Sequence, residues 1–185
     1  MFECEINGKQ IIIKNTSGLF SPLHADRGTL AMLSVVELSC GMKVLDLGCG
    51  CGIVGIYSAL CCGQENIVMC DIDPLAVESA AYNAEANGLK IASYVSDGLA
   101  SVPEAGFDVI LSNPPYQSDF AVAKHFIEKG FNRLKIGGQM YMVTKRRTWY
   151  ENKLRAIFGG CKVYEIDGYF VFKAEKRSAS YAKLK

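Results

Sequence analysis

The chain has 185 residues, half of them hydrophobic and 21% charged, with a formal net charge of +1. That is ordinary globular composition, long enough for one domain with a sizeable core. No apolar run approaches the ~18 residues that cross a bilayer, and the opening MFECEINGKQ has two acids and no apolar stretch, so neither a membrane span nor a signal peptide is expected.

The elements follow in chain order. CEINGKQIIIKN predicts a small hairpin around Asn7-Gly8. A polar, glycine-containing loop follows, TSGLFSPLHADRG. Thr29 is expected to cap a helix reaching about Ser39, with Leu30, Leu33, Val36 and Leu38 on its buried face. After Gly41 the pattern becomes regular. Strands are predicted over 43–47, 66–71, 91–95, 107–111, 139–144, 161–166 and 169–174. Helices are predicted over 53–60, 74–87, 119–134 and 148–158; Pro74 opens the second of these and Gly88 closes it.

Alternating strands and helices predict an α/β fold: a doubly wound, Rossmann-like sheet with helices on both faces. The last two strands lack a helix between them and must form an antiparallel hairpin. Seven core strands result, mostly parallel, with one reversed at the edge. A single domain is expected over 1–185: a hairpin and covering segment (1–28), a core (29–174) and a basic tail (175–185).

Eight cysteines are present, none in a C-x-x-C pair, with only two histidines (His24, His125). No metal site is expected, and the thiols read as small core side chains in a reducing, cytoplasmic compartment. Charge is uneven: from Lys145 onward there are eleven Lys or Arg against four acids. A solvated face explains such a run; so does a surface for a polyanion.

DLGCGCG, residues 46 to 52, joins the first core strand to a helix. Gly48, Gly50 and Gly52 allow a tight turn and close approach of a ligand. Asp71 ends the next strand, where a carboxylate can accept both hydroxyls of a ribose. The spacing G-x-G-x-G departs from the dinucleotide fingerprint G-x-G-x-x-G/A. Asp46, two residues before the first glycine, would repel a pyrophosphate and attract ammonium and sulfonium groups. This favours S-adenosylmethionine over a nicotinamide dinucleotide. Asp97, in SDGL after the third strand, could accept from an adenine amino group; alone it would read as an Asp-Gly turn, but its position beside Gly48 and Asp71 favours binding.

NPPY, residues 113 to 116, leaves the fourth strand at the same sheet edge. Asn113 offers a side-chain carbonyl, Pro114 a backbone carbonyl on a fixed φ, Pro115 further rigidity, and Tyr116 a π-face. Two acceptors and a ring suit a planar group bearing an –NH2. They would draw charge onto that nitrogen and aim its lone pair at a methyl group.

In their order, DLGCGCG, Asp71 in VMCDIDP, SDG and NPPY resemble the class I S-adenosylmethionine-dependent methyltransferases. GLFSPLHADRGTLAML resembles the segment before the first motif in their small-domain group. That group includes ribosomal RNA guanine-N2, adenine-N6 and release-factor glutamine enzymes. The resemblance implies a sheet of order 3-2-1-4-5-7-6 with the last strand inserted and antiparallel. It implies a cofactor lying over Asp46, Gly48, Cys49, Gly50 and Gly52, with Asp71 then Ile72 at the ribose and Asp97 then Gly98 at the adenine. Phe20, Asp26 and Thr29 would roof the site. Asn113 to Tyr116 would hold the target amine, with Asn113 also beside the cofactor. The activity expected is N-methylation of an exocyclic amine of RNA, with guanine N2 of ribosomal RNA ahead of adenine N6 in RNA or DNA and of protein glutamine N5. Lys145, Arg146 and Arg147, after the fifth strand, would hold phosphates of the RNA. Neither a membrane nor a metal is expected as partner.

Overall fold

A computed structural model of the chain describes residues 1–14, 24–115 and 120–182. It opens with the expected hairpin, β1 (Phe2–Ile6) and β2 (Lys9–Ile13). Asn7 and Gly8 both take positive φ, 48° and 77°, the twist favoured by two-residue hairpins. The Asn7 amide donates to Leu33 O at 3.0 Å and to the Tyr57 hydroxyl at 2.9 Å, which ties the turn to the helices beside it.

The remaining elements are α1 (Arg27–Leu33), β3 (Val44–Leu47), α2 (Ile53–Cys62), β4 (Ile67–Asp71), α3 (Pro74–Ala86), β5 (Ala92–Val95), β6 (Phe107–Ser112), α4 (Phe120–Arg133), β7 (Leu134–Thr144), α5 (Arg147–Phe158), β8 (Lys162–Ile166) and β9 (Tyr169–Glu175). The core sheet has the order β5-β4-β3-β6-β7-β9-β8. Numbered from the first core strand, this is the expected 3-2-1-4-5-7-6.

The reversed strand is β9, antiparallel to both β7 and β8. It lies between them rather than at the sheet edge, where the strand pattern alone had placed it. Val171 and Phe172, on opposite faces of β9, are both fully buried, as a central strand requires. No residue of β8 is buried, so β8 takes the edge. The tight turn at Asp167-Gly168, φ 50° and 77°, allows β9 to fold back inside it.

Successive strand residues serve opposite layers. Val44, Ile67, Met69 and Val109 pack with Met32, Ile56 and Ala80 beneath the hairpin and α1 to α3. Leu45, Val68 and Ile110 pack with Ile127, Phe131 and Leu154 of α4 and α5. The central strands β4, β3 and β6 are covered on both faces, and the loops at one end of the sheet build the site.

Two boundaries differ from expectation. The cap of α1 is Asp26, whose carboxylate accepts from Thr29 N at 2.9 Å; Thr29 is the third helical residue. The helix also stops at Leu33, because the Ser34 hydroxyl takes the Ala31 carbonyl at 2.8 Å and competes with the helical ladder. Strand β7 begins at Leu134, five residues before the expected Gln139. Gly137, at φ 82°, carries an irregularity there, and its N–H donates to Lys176 O at 2.8 Å, so pairing continues through the glycines. Among the described residues no helix is long and apolar enough to cross a membrane.

Candidate active site

The turns after β3, β4, β5 and β6 surround one cavity of about 400 Å³, a size usual for small-molecule sites. It lies where the order of strands reverses about β3, the position at which open parallel sheets hold ligands.

The glycine turn forms its floor. Gly48, Gly50 and Gly52 take φ of 79°, 52° and 85°, a region costly for other residues. Gly48 N and Cys49 N both donate to Cys70 O, at 2.9 and 3.0 Å, which folds the turn onto the end of β4. Gly50 N donates to Asp71 Oδ2 at 3.0 Å, and Asp71 Oδ1 accepts from Asp73 N at 3.1 Å. The carboxylate of Asp71 is therefore held at the mouth by two backbone donors.

Gly52 caps α2 but has no side chain to satisfy the helix's first N–H groups. Asp46 does so from the strand, with Oδ2 accepting from Gly55 N at 2.8 Å. Asp46 is only 2% exposed, and burial pushes its carboxyl up to about 7. The Gly55 N–H opposes that rise and the charge of Asp71 adds to it. Near neutral pH, Asp46 is thus poised between neutral and charged forms, an unusual state for a carboxyl in a cavity wall. Burial likewise raises Cys49 well above the usual thiol range and Cys70 to about 12. Both stay protonated and serve as small walls rather than nucleophiles.

The opposite wall is the exit of β6. Asn113 Nδ2 donates to Asp26 Oδ2 at 2.7 Å and to Thr29 Oγ1 at 3.0 Å. A carboxylate only accepts, so the amide nitrogen must face Asp26, and the side-chain carbonyl of Asn113 turns to the other side. One carboxylate oxygen thus caps α1 and orients Asn113. Pro114 is buried and Pro115 exposed, and both line the cavity.

The cavity brings together Asp26, Thr29, Asp46, Gly48, Cys49 and Gly50 with Asp71, Ile72, Asp97, Gly98, Asn113, Pro114 and Pro115. Gly52 is absent from the lining: it is the close-approach point of two helices, and a Cβ there would lie 2.9 Å from Ala80 Cβ. Phe20 and Tyr116 fall outside the described residues. Lys145, Arg146 and Arg147 are exposed beyond the cavity, at the same sheet edge. Among the described residues no group of His, Cys, Asp or Glu is arranged to hold a metal ion.

Sequence reasoning missed several wall residues. Phe126 of α4 reaches across to the glycine turn, its ring 3.6 Å from where a Cβ of Gly48 would stand. Phe2 of the hairpin and His24 also line the cavity. Asn83 stands behind the turn, fully buried, accepting from Lys14 N at 2.8 Å and donating to Cys51 O at 2.9 Å. It joins the end of the hairpin to the glycine turn. A polar residue on the buried face of α3 was the one visible signal of that role.

The family model described as methyltransferase small domain matches residues 10–173. A ribosomal RNA small subunit methyltransferase C from Hahella chejuensis is 35% identical, over 85% of this chain and 47% of its own length. A ribosomal RNA large subunit methyltransferase G from Streptomyces avermitilis is 34% identical, over 86% of this chain and 43% of its own. A T. thermophilus 16S rRNA N2 guanine methyltransferase, solved in complex with AdoMet and guanosine, superposes with a TM-score of 0.88. It is 31% identical and covers 95% of this chain and 50% of that one. The chain spans about half the length of the curated relatives it matches.

Proposed function

The chain belongs to the methyltransferase small domain family, and on that premise we propose that it is an S-adenosylmethionine-dependent methyltransferase acting on the exocyclic N2 amine of guanine in ribosomal RNA. The observation that carries this reading is the orientation of Asn113. Its amide nitrogen is taken by Asp26 and Thr29, so its carbonyl is the group presented on the other side. A carbonyl beside a buried proline suits an amine donor.

The cavity fits the cofactor. Gly48 and Gly50 leave room for its backbone-hugging part, Asp71 would accept from ribose hydroxyls, and Asp97 and Gly98 stand at the end suited to adenine. Bound S-adenosylmethionine supplies a methyl group made electrophilic by the sulfonium centre. Asn113 Oδ1 and the Pro114 carbonyl would accept from the two N–H bonds of the target amine. Those contacts raise the electron density on a nitrogen whose lone pair is otherwise delocalised, and they hold it in one direction. The carboxylate of Asp26, accepting from Asn113 Nδ2, polarises the amide and makes its carbonyl the better acceptor. The amine's lost proton passes to water, and no strong base is required. Residues 29–174 would form the catalytic core, 1–28 its cover and 175–185 a basic tail. A ribosomal RNA substrate sets the work in the cytoplasm.

The superposed relative with guanosine supports guanine N2 over adenine N6 or protein glutamine N5. Labelled-methyl transfer to a panel of ribosomal RNA, DNA and release factor tests the substrate class. Label in RNA alone is expected; label in release factor and none in RNA would overturn the reading.

Asp46 makes the cofactor step sensitive to pH. Its carboxyl is raised to about 7 by burial, so in the empty site folding favours the protonated form between the ordinary carboxylate range and 7. A bound cation favours the ionised form, so binding releases a proton below pH 7. Cofactor affinity should therefore rise about tenfold from pH 6 to 8 and then level. Calorimetry at several pH values checks this, and Asp46→Asn should flatten the profile. A flat profile in the parent chain would contradict the charge role of Asp46.

A further inference from the structure

Taking RNA as the substrate, as proposed above, we further propose that Arg146, held over a Phe120–Trp149 ring stack, is a stacking site for the base beside the target nucleotide in single-stranded RNA, with Lys145 and Arg147 on the flanking phosphates. The placement follows from the sheet. Ser112 pairs with Met142, so β6 and β7 end side by side and Lys145 to Arg147 emerge next to Asn113 to Pro115. Across that edge stands Phe120, on the helix whose Val122 and Phe126 line the cavity. A strand with one base in the cavity would run directly onto this surface.

Its chemistry suits a nucleobase better than bare phosphate. Phe120 and Trp149 stack with centroids 4.4 Å apart and planes 18° apart, and both are half-buried. The Arg146 guanidinium carbon lies 5.2 Å from the Phe120 centroid. A guanidinium resting on a ring is planar and weakly hydrated, and its outer side is a surface on which a base stacks. The two neighbours are held in the same manner. Lys145 Nζ lies 4.9 Å over Tyr169, and Arg147 Cζ lies 5.6 Å over Phe170 while its Nε pairs with Glu151 at 3.0 Å. Three successive exposed cations are each seated on an aromatic ring, and the ring under Arg146 is itself one of a stacked pair. Side chains already ordered in this way lose less entropy when they meet a ligand.

Trp149 is the chain's single tryptophan, so its emission reports on the stack. The full chain is titrated with a short mixed-sequence single-stranded RNA and with the same strand lacking its bases. Binding is followed by anisotropy and Trp149 fluorescence, and methyl transfer is measured in parallel. The expected result is saturable quenching by the RNA, little by the abasic strand, and about tenfold weaker binding for both Arg146→Ala and Arg146→Lys at unchanged thermal melting. Lysine keeps the charge but not the plane. Lys145→Ala should instead lower the salt slope of binding by about one. Arg146→Lys binding like the parent, or equal quenching by the abasic strand, would overturn the stacking site. Methyl transfer to RNA with Trp149 emission unmoved would overturn it and leave the RNA reading standing. Quenching and weakened variants without any transfer would keep the stacking site and sink RNA methylation. A strand that does not bind at all would sink both.

Discussion

Replacing Asn113 with alanine is expected to lower the rate of methyl transfer about 10²- to 10³-fold, with cofactor affinity changed only a few fold. The size is that of removing one preorganised group from the reacting centre. Asn113 is anchored through its nitrogen to Asp26 and Thr29, at 2.7 and 3.0 Å, so its carbonyl is already aimed before substrate arrives. The anchors proposed for the cofactor lie on the far side, at Asp71 and the glycine turn, which is why affinity should survive. Asp26→Asn separates orientation from removal. Asparagine still caps α1, so stability should hold, but it offers Asn113 no charge and allows the amide to turn over. About a tenfold fall in turnover, with little change in the concentration of RNA needed, is expected. Rates of labelled-methyl transfer and calorimetry with the cofactor measure both variants. Equal loss of turnover and cofactor affinity in Asn113→Ala would show that the residue holds cofactor rather than amine.

The largest effect on stability is expected from Gly52→Ala. The residue sits at φ 85°, where an L side chain costs about 1–2 kcal/mol. Its Cβ would also stand 2.9 Å from Ala80 Cβ and 3.0 Å from Ala80 Cα, where backbone must move, for a further ~1–3 kcal/mol. A loss of about 3 kcal/mol should lower Tm by roughly 10 °C in a domain of this size. Gly50→Ala is the comparison. Its φ is 52° and nothing lies within 4 Å of the added carbon, so only the conformational cost applies. Thermal unfolding of the two variants side by side checks the argument. A Gly52→Ala protein that melts within 2 °C of the parent would show that α2 and α3 can part freely, contrary to their packing.

Much of this architecture was legible in the chain because its punctuation is chemical. Asn7-Gly8 and Asp167-Gly168 take the positive φ values their residue types favour, and Pro74 opens α3 behind the Asp73 cap. The turns after β3, β4, β5 and β6 that line the cavity were legible for the same reason: glycine, aspartate and proline at strand ends are constrained by backbone geometry. What was not legible depends on contacts between distant segments. Asp46 reads as a charge on paper, yet burial raises it to about 7. Asp26 is expected only in the roof of the site, yet it also meets Asn113, 87 positions away, and displaces Thr29 as the cap of α1. Phe126 joins the cavity wall because α4 crosses the glycine turn, which no local pattern encodes. Strand β7 begins early because Gly137 hydrogen-bonds to Lys176, just past the neighbouring β9, which comes from much further along the chain. The place of β9 inside the sheet followed from the family resemblance, while the alternation of elements alone put the reversed strand outside.

The most direct test is mass spectrometry of nucleosides from unmodified ribosomal RNA incubated with the protein and S-adenosylmethionine carrying a deuterated methyl group. N2-methylguanosine bearing the heavy methyl is the predicted product, and it should vanish with Asn113→Ala. Heavy N6-methyladenosine in its place, or no heavy nucleoside alongside a heavy methylglutamine in protein, would contradict the assignment of the Asn113 wall to the guanine amine.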